Sequence, residues 1–515
     1  MIMDDMGWGD LGCYGNPSRE TPNLDRMASE GVLFTDMYAA SAICSPSRAS
    51  LLTGRLPVRN GFYSLDQARN SYAPQEVIGG IQESEVLISE LLRTGGYKNK
   101  IIGKWHLGHR PEYLPLKHGF DEWLGAPNCH YRYDNKYIPN IPFFRDDHMI
   151  GRLYYDEIEI DDKLGLSNLT QVYIEDAIEF IQRQSLKKQP FFLYWTPDGS
   201  HTPLYVSPKF RNKSKRGLYG DVVMELDYGV GRILEALRKL RIENDTFVLF
   251  SSDNGAATYA FDEGFCYYYY YCYWGSNGPF LCGKQTTFEG GMREPAIAWW
   301  PGKIKPKLHT GAASLMDILP TLADLAGVEV PKNLILDGES LKDVLLGDNN
   351  NNNNNNNDDN NNKDNVNDVN DEPIFYYRGN TLFNIRWYGP YKAHYYTWAT
   401  PTEAKNQGYE YCPGQQVDGV TTSNMTDHSK NPILFHLGRD PGEKMPINVN
   451  TNEYRDTVVI LNQVLKRHEE SMEFGKAQLE WCDQSVQNWS PPGCEKINQC
   501  LPAPLSQPYR CAWPY

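Results

Sequence analysis

Two pairs of oxygen-bearing side chains stand where they could hold a cation. Asp4 and Asp5 follow the apolar start of the chain, and Asp253 and Asn254 follow the apolar run 246–250. Adjacent carboxylates repel each other and are mostly solvated surface groups, but at the end of a buried strand they require a cation. Oxygen ligands of this kind suit Ca²⁺, with Mg²⁺ as the alternative, rather than zinc. The sequence therefore predicts a divalent-metal site formed by these four residues.

A candidate nucleophile lies at the start of a predicted helix. Cys44 is followed by Pro46 and Arg48, and then by Leu-Leu-Thr-Gly-Arg at 51–55. A bare C-x-P-x-R motif is short enough to occur by chance and fits a buried or disulfide-bonded cysteine equally well, whereas the downstream residues favour a catalytic role. They also predict a helix whose amino end points at Cys44 and favours an anion there. Arg48 would bind the nucleophile and anionic oxygens as a fixed fork of donors.

Further segments add cationic and acid–base groups. Lys104 and His106 stand two residues apart, so both can point to one side of an extended chain. His201 follows a strand-like run, and Lys284 lies in a Gly-rich stretch. Taken singly, Lys104 and His106 would more often be ordinary surface or core groups, and one lysine in a Gly-rich stretch carries no functional signal.

The elements that would carry these residues follow a regular alternation. Short apolar runs alternate with helical patterns over the first two thirds of the chain, which is typical of a sheet flanked by helices. The first helix is predicted to begin at Pro22, capped by Thr21, and to end at Gly31. Sheets of this kind bind ligands at the carboxyl ends of their strands. The strands that lead into candidate residues are predicted at 100–102, 191–195 and 246–250.

The rest of the chain predicts two further units. Residues 349–370 are almost wholly Asn and Asp and are expected to be a disordered insertion. After them, 373–377 and 392–398 alternate like antiparallel strands, and 457–468 has an amphipathic helical pattern. The Tyr-rich run 266–272 is interpreted as an inserted loop or a gene-prediction error. The predicted units are a catalytic α/β unit at 1–371, a smaller antiparallel-sheet and helix unit at 372–474, and a disulfide-stapled tail at 475–515.

Composition narrows the classes of partner. The 515 residues carry a formal charge of -15 and a pI near 5.3, which argues against a nucleic-acid backbone as partner and fits an acidic compartment. No apolar run approaches the roughly 20 residues needed to cross a bilayer, so no membrane span is expected. Residues 1–3 look like the end of a strand whose beginning is missing, and we therefore expect a truncated start without its leader.

Cysteines and glycosylation sequons indicate the secretory route. Four of the eleven cysteines crowd the last 35 residues, which is typical of a disulfide-stapled segment made in an oxidising compartment. Spacing alone leaves the cysteine pairings open. Acceptor sequons for N-glycosylation occur at Asn168, Asn212, Asn424 and Asn488, with a fifth at Asn244.

The motifs together resemble the signatures of the formylglycine-dependent sulfatases. They are the segments 44–55, 103–108, 198–203 and 283–295. The resemblance implies that the formylglycine-generating enzyme converts Cys44 to Cα-formylglycine during secretion. A hydrated aldehyde has two hydroxyls, so one can attack sulfur and the other can expel the sulfate by re-forming the carbonyl. The converted residue would also contact the metal ion.

The resemblance implies a role for each remaining candidate. Lys104 would stabilise the aldehyde hydrate, and His106 would accept its proton. His201 would be the leaving-group acid, and Lys284 would bind the sulfate oxygens. Tyr72 aligns with a substrate-pocket tyrosine, although a packed aromatic side chain explains it nearly as well.

Longer segments narrow the resemblance to one subgroup of the family. Residues 19–27, 56–63, 117–123 and 276–285 are similar to lysosomal members of the family that act on keratan sulfate and chondroitin 6-sulfate. This implies an alkaline-phosphatase-like α/β fold with a large mixed sheet flanked by helices and a smaller C-terminal antiparallel sheet. It also implies removal of 6-sulfate from terminal galactose or N-acetylgalactosamine, a Ca²⁺ ion, a homodimer and a lysosomal or secreted location. The implied disulfides are Cys282 with Cys412, Cys482 with Cys511, and Cys494 with Cys500.

Other functions fit parts of the sequence. An arylsulfatase of different specificity would share the same motifs. A metal-dependent phosphohydrolase of the same superfamily would carry Ser or Thr as nucleophile and usually two metals, whereas this chain has Cys44 and ligands for one. A noncatalytic glycan-binding sulfatase homologue would keep Cys44 as an unmodified thiol. The residues favour a sulfatase that acts on 6-sulfate esters.

Overall fold

The computed structural model describes residues 1–65, 72–132, 138–258, 275–347, 372–387, 389–398, 412, 414–421 and 424–511. The predicted Tyr-rich run 266–272 and the Asn-rich insertion 349–370 lie outside these residues.

The strands are β1 Ile2–Met3, β2 Val32–Tyr38, β3 Lys98–Gly103, β4 Glu122–Gly125, β5 Pro142–Arg145, β6 His148–Arg152, β7 Phe191–Thr196, β8 Val248–Ser252, β9 Arg293–Trp299, β10 Lys307–His309, β11 Ala313–Ser314, β12 Ile374–Arg378, β13 Thr381–Trp387, β14 Tyr391–His394, β15 Tyr396–Thr397, β16 Thr426–Asp427, β17 Ile433–His436, β18 Trp481–Cys482 and β19 Tyr509–Arg510. The α-helices are α1 Pro22–Glu30, α2 Cys44–Thr53, α3 Pro57–Asn60, α4 Ile88–Thr94, α5 Leu169–Lys187, α6 Gly217–Leu240, α7 Glu289–Met292, α8 Ile318–Ala326, α9 Lys342–Leu346 and α10 Asn452–Ser471.

Two mixed sheets lie side by side in the first two thirds of the chain. The first has the order β1-β8-β9-β2-β10, with β11 also pairing with β2, and the second has the order β6-β5-β4-β3-β7. One apolar core packs α2, α4 and α8 against the sheets, and a second core packs α1, α5 and α6. Helices therefore cover both faces, and the predicted α/β fold is confirmed, with its large mixed sheet present as two neighbouring sheets.

The local predictions hold with small corrections. Helix α1 runs Pro22–Glu30 and ends before Gly31, as predicted. Thr21 occupies the N-cap position, but its hydroxyl accepts a hydrogen bond from the Gly12 amide at 2.8 Å and donates to Asp25 at 3.1 Å instead of capping. The strand predicted at 246–250 begins two residues later, because a short 3-10 helix precedes it.

The C-terminal part contains the expected antiparallel sheet. Strands β12, β13, β14 and β17 pair in that order, and α10 packs its apolar face on them. The unit boundaries at 371 and 474 stay predictions. Within the described residues, no helix combines the length and apolar composition that crossing a bilayer requires. The disulfides there are Cys282–Cys412, Cys482–Cys511 and Cys494–Cys500, which are the pairs that the family resemblance implies.

The predicted glycosylation sites differ in exposure. Asn168, Asn212, Asn244 and Asn424 have exposed side chains. Asn488 is only 6% exposed, and its side-chain nitrogen is buried. A glycan is attached through that nitrogen, so the burial of Asn488 in the folded protein disfavours this site, and its glycosylation stays a prediction.

A buried ionic cluster joins the C-terminal sheet to the catalytic part. The Nζ of Lys392 lies 2.9 Å from Glu289 and 3.2 Å from Glu443. His394 bonds Glu443 at 2.6 Å, and Arg293 bonds Glu289 at 2.6 Å. Burial alone would raise the pKa of Glu289, but Lys392 and Arg293 lower it to about 2. The cluster therefore consists of charges that compensate one another inside the protein.

Replacing Lys392 with Met should lower the free energy of unfolding by about 3–5 kcal/mol, because Glu289 and Glu443 would stay buried without their shared cation. The matched change Lys466→Met removes a solvent-exposed partner of Glu470 on α10 and should leave stability nearly unchanged. Denaturant unfolding followed by tryptophan fluorescence measures both variants. Equal losses of unfolding free energy in the two variants would show that the buried cluster stabilises the fold no more than an exposed ion pair does.

Candidate active site

The predicted metal ligands meet at the carboxyl ends of two adjacent parallel strands. Strands β1 and β8 pair in parallel, so the residues that follow them emerge at the same edge. The Asp5 amide donates to Asp253 Oδ1 at 3.1 Å, and Asn254 Nδ2 donates to Asp5 Oδ1 at 2.7 Å. One carboxylate oxygen from each of Asp4, Asp5 and Asp253 lies within 4.8 Å of the other two. All four residues are buried.

The chemistry of this set fits a hard divalent cation. Three carboxylates face one another away from water, and burial raises the pKa of Asp253 well above its usual value even though Arg48 lies beside it. Asn254 Oδ1 is a buried acceptor without a hydrogen-bond partner among the described residues. Carboxylate and amide oxygens in this density are the ligands that Ca²⁺ and Mg²⁺ prefer, and a bound cation would satisfy the acceptor and offset the repulsion.

Cys44 lies beside this cluster at the amino end of a buried helix. It is the first residue of α2 and follows Ile43, which has an extended backbone, so the predicted helix start is confirmed. Ligand atoms of Asp4, Cys44 and His201 lie within 4.8 Å of one another. A hydrogen bond with Cys129 holds the pKa of the Cys44 thiol well below its usual value, which outweighs the effect of burial. The unpaired amides of the helix end face the same point and favour an anion there.

Three cations surround the carboxylates. Arg48 Nε donates to Asp253 Oδ2 at 2.8 Å, and its Nη1 donates to the Thr196 hydroxyl oxygen and to the Lys104 carbonyl oxygen. Lys104 Nζ lies 2.8 Å from Asp4 Oδ2. Thus the guanidinium and the ammonium group that were predicted to serve the nucleophile are paired here with the carboxylates that were predicted to hold the metal.

The third cation bonds the remaining ligand carboxylate. Lys284 Nζ lies 2.7 Å from Asp5 Oδ2. It was predicted to bind sulfate oxygens, and its position beside Asp5 puts its charge next to the same cluster. Each of the three carboxylates predicted to hold the metal therefore has its own cationic neighbour.

The two predicted catalytic histidines have different hydrogen-bond partners. His106 has a left-handed backbone with φ of 63°, and its Nε2 donates to the Ala73 carbonyl oxygen at 3.1 Å. Burial, with Lys104 nearby, lowers the pKa of His106 to about 4. His201 Nδ1 donates to the Thr202 carbonyl oxygen at 2.7 Å, and its Nε2 lies 3.8 Å from Asp5 Oδ2. The Tyr72 ring, half-buried, lies 6.3 Å from the His106 ring.

The structure brings every predicted catalytic, metal and substrate residue to one place. These residues are Asp4, Asp5, Cys44, Arg48, Tyr72, Lys104, His106, His201, Asp253, Asn254 and Lys284.

Sequence reasoning missed several neighbours of the site. The Cys129 sulfur lies 3.6 Å from His106 Nδ1, and the next residue, His130, bonds Asp198 at 2.9 Å. Tyr131 places its ring 5.4 Å from the His201 ring. The only sequence signal for this group is the adjacent Cys and His at 129 and 130, which have no fixed spacing to any other motif.

A buried metal-type cluster beside a cysteine at a helix amino end, within this α/β fold, defines a sulfatase, and comparison with known proteins agrees. A family profile described as Sulfatase matches residues 1–328, and one described as the C-terminal region of aryl-sulfatase matches residues 369–502. The chain belongs to the sulfatase family.

Its relatives include N-acetylgalactosamine-6-sulfatases. The protein of that name from Canis lupus familiaris is 52% identical over 519 residues, covering 100% of this chain and 94% of the relative. The one from Homo sapiens is 51% identical over 516 residues, covering 100% of this chain and 93% of the relative. Among solved structures, the PsFucS1 sulfatase from Pseudoalteromonas sp. superposes with a TM-score of 0.71 at 26% identity, covering 92% of this chain and 91% of that one.

Replacing Asp253 with Asn should remove the stabilisation that Ca²⁺ confers, because it takes one charged ligand from the cluster. Millimolar Ca²⁺ should raise the melting temperature of the unsubstituted protein and leave that of Asp253→Asn unchanged. Asp10→Asn is the matched control, because Asp10 bonds Tyr219 and the Gly7 amide instead of the cluster and its variant should keep the Ca²⁺ response. Scanning calorimetry with and without chelator measures this. An equal Ca²⁺ shift in both variants would rule out Asp253 as a ligand.

Proposed function

We propose that this chain is a sulfuric ester hydrolase that removes 6-sulfate from terminal galactose 6-sulfate or N-acetylgalactosamine 6-sulfate in keratan sulfate and chondroitin 6-sulfate. The observation that carries the proposal is the approach of Cys44, Asp4 and His201 to within 4.8 Å at the amino end of α2. The choice of a 6-sulfated sugar rests on the N-acetylgalactosamine-6-sulfatases, which are 51–53% identical over the whole chain.

Two groups complete the site in this proposal. Cα-formylglycine, made from Cys44 by the formylglycine-generating enzyme, would supply a nucleophilic hydroxyl that needs no second attack at sulfur. Ca²⁺, with Mg²⁺ as the alternative, would be held by Asp4, Asp5, Asp253 and Asn254 and would polarise a sulfate oxygen.

The cations bind and orient the sulfate group. Arg48, Lys104 and Lys284 concentrate three positive charges beside residue 44 in a site from which water is largely excluded. Electrostatic stabilisation is strong where charges are preorganised and desolvated. These side chains would hold the sulfate oxygens while the bond to the sugar oxygen breaks.

The two histidines divide the proton transfers. His106 Nε2 must carry a proton because its partner, the Ala73 carbonyl oxygen, only accepts, so Nδ1 is the free base. A pKa of about 4 keeps that ring neutral in a moderately acidic compartment. His201 uses Nδ1–H for the Thr202 carbonyl oxygen, so Nε2 is the nitrogen that would give a proton to the departing sugar oxygen.

The cellular setting follows from the same proposal. We place the enzyme in the lysosome or outside the cell as a glycoprotein homodimer, with glycans on Asn168, Asn212 and Asn424, acting on sulfated glycosaminoglycans and not on nucleic acids. The three-unit division at 371 and 474 belongs to the proposal as well. An arylsulfatase of other specificity is the second candidate, because Arylsulfatase A from Bos taurus is 35% identical over 525 residues.

The protein co-expressed with formylglycine-generating enzyme should release sulfate from oligosaccharides that end in galactose 6-sulfate or N-acetylgalactosamine 6-sulfate, and should leave their 4-sulfated isomers intact. Ion chromatography of free sulfate measures this. Cys44→Ser should keep the melting temperature and lose multiple turnover. Hydrolysis of aryl sulfates or 4-sulfates alone would favour an arylsulfatase of other specificity. Sulfate release from none of them by converted protein would indicate a noncatalytic homologue.

His201→Ala should slow the hydrolysis of sugar 6-sulfates by about 100-fold or more and that of aryl sulfates by less than about 10-fold. The aryl oxygen is a good leaving group and can depart without receiving a proton. Single-turnover and steady-state rates on galactose 6-sulfate and on 4-nitrophenyl sulfate give the two ratios. Lys284→Met is the comparison variant and should slow both substrates alike, since its charge acts on the sulfate group that both share. Equal slowing by His201→Ala would refute the acid assignment.

A further inference from the structure

His130, Asp198 and Tyr205 form a buried hydrogen-bond network next to the His201 ring. His130 Nδ1 bonds Asp198 Oδ2 at 2.9 Å, and the Tyr205 hydroxyl donates to Asp198 Oδ1 at 2.9 Å. Asp198, His130 and Tyr205 have no exposed surface. The His130 ring stands edge-on to the His201 ring, with their centroids 5.7 Å apart. None of these three residues is used by the reaction as derived above.

Both ring nitrogens of His130 face acceptors. Besides the Asp198 carboxylate, Nε2 lies 2.9 Å from the Pro203 carbonyl oxygen, which can only accept. Two such bonds require both nitrogens to be protonated, so His130 and Asp198 form an ion pair. A buried ion pair contributes little net stability compared with apolar packing. Its presence beside the site therefore points to a role in fixing geometry.

The network fixes the short segment that carries His201 at both ends. At one end, the Asp198 carbonyl oxygen accepts the His201 amide at 3.0 Å, while the Asp198 side chain holds His130. At the other end, His130 Nε2 holds the Pro203 carbonyl oxygen. His130 thus bridges residues 198 and 203, and the four residues between them include His201. The His201 ring can keep Nε2 directed into the site only while this segment holds its shape.

We propose that His130 and Asp198 are a positioning pair for His201, the group proposed above as leaving-group acid. The pair does not touch the reacting atoms. It sets where His201 Nε2 stands relative to the sugar oxygen. A displacement of about 1 Å in a catalytic group can cost about 100-fold in rate, so loss of the pair should reproduce part of the His201→Ala defect. The inference rests on the proposed function of His201.

The test compares leaving groups, because general damage to the fold slows all substrates alike. His130→Gln and Asp198→Asn should lower kcat for galactose 6-sulfate about 10-fold to 100-fold, with KM nearly unchanged, and lower kcat for 4-nitrophenyl sulfate less than about 3-fold. Asp198→Asn is nearly isosteric and serves if His130→Gln does not fold. Melting temperatures show which variants are compared in the folded state.

Two control variants separate position from burial. Tyr205→Phe removes one hydrogen bond to Asp198 but keeps the bridge to His130, so it should change the ratio of the two rates less than about 3-fold. His109→Gln removes another buried histidine, one that bonds the Val486 carbonyl oxygen in the C-terminal segment, and should leave the ratio unchanged.

The outcomes are distinguishable. A selective loss on the sugar ester in His130→Gln or Asp198→Asn, with the controls unchanged, supports the positioning pair. Equal losses on both esters overturn it even if His201→Ala shows the selective loss. If His201→Ala slows hydrolysis of both esters equally, His201 is not the leaving-group acid, and the positioning pair is refuted as well. If the unsubstituted enzyme does not hydrolyse the sugar ester at all, it is the proposed function that has failed.

Discussion

Mutual repulsion between carboxylates is the constraint on which this site depends. Asp4, Asp5 and Asp253 bring one oxygen each to within 4.8 Å of the others, in the interior of the protein. Charges at this distance repel strongly when water is excluded, and the arrangement persists only if positive charge is supplied at the same point. The rest of the active site is organised around that requirement.

The positive charge comes from three separate parts of the chain. Arg48 projects from α2, Lys104 follows β3 directly, and Lys284 precedes α7. Since each cation bonds a different ligand carboxylate, the ionised set without metal is close to neutral. A bound divalent cation would then give the site two units of positive charge, which would favour binding of a sulfate ester and an anionic oxygen at residue 44. The acidic residues proposed to hold the metal therefore also pair with the cations proposed to bind the sulfate group.

The sequence predicted which residues meet at this centre because they lie in patterns a few residues long. Carboxylates after apolar runs, a cysteine opening a helix, and Lys104 two residues before His106 are all patterns within a few residues. The ends of parallel strands meet by geometry, so Asp5 and Asp253 could be placed together without coordinates. Helix α1 was predicted to its boundaries for the same reason, although the Thr21 hydroxyl prefers Gly12 and Asp25 as partners.

What escaped prediction depends on contacts between distant segments. His130 gains its hydrogen-bond partners only when Asp198 and Pro203 fold around it. Lys392 gains its ionic partners only when Glu289 and Glu443 reach it from other elements. Neither a motif nor a periodic pattern marks such residues, because each looks like an ordinary core or surface position. The burial of Asn488 could not be predicted for the same reason, since a sequon identifies the acceptor residue but not its exposure in the fold.

These long-range contacts also link the C-terminal sheet to catalysis. Lys392 on β14 neutralises Glu289, the first residue of α7, and Glu443 accepts a hydrogen bond from the Glu289 amide at 2.6 Å. Helix α7 ends the segment that begins with Lys284, so the C-terminal sheet anchors one end of the segment whose other end bonds Asp5. Because interiors pack tightly, displacement of α7 would be transmitted to Lys284 and from there to the metal ligands. The smaller sheet is therefore part of the framework that keeps Lys284 in position beside Asp5.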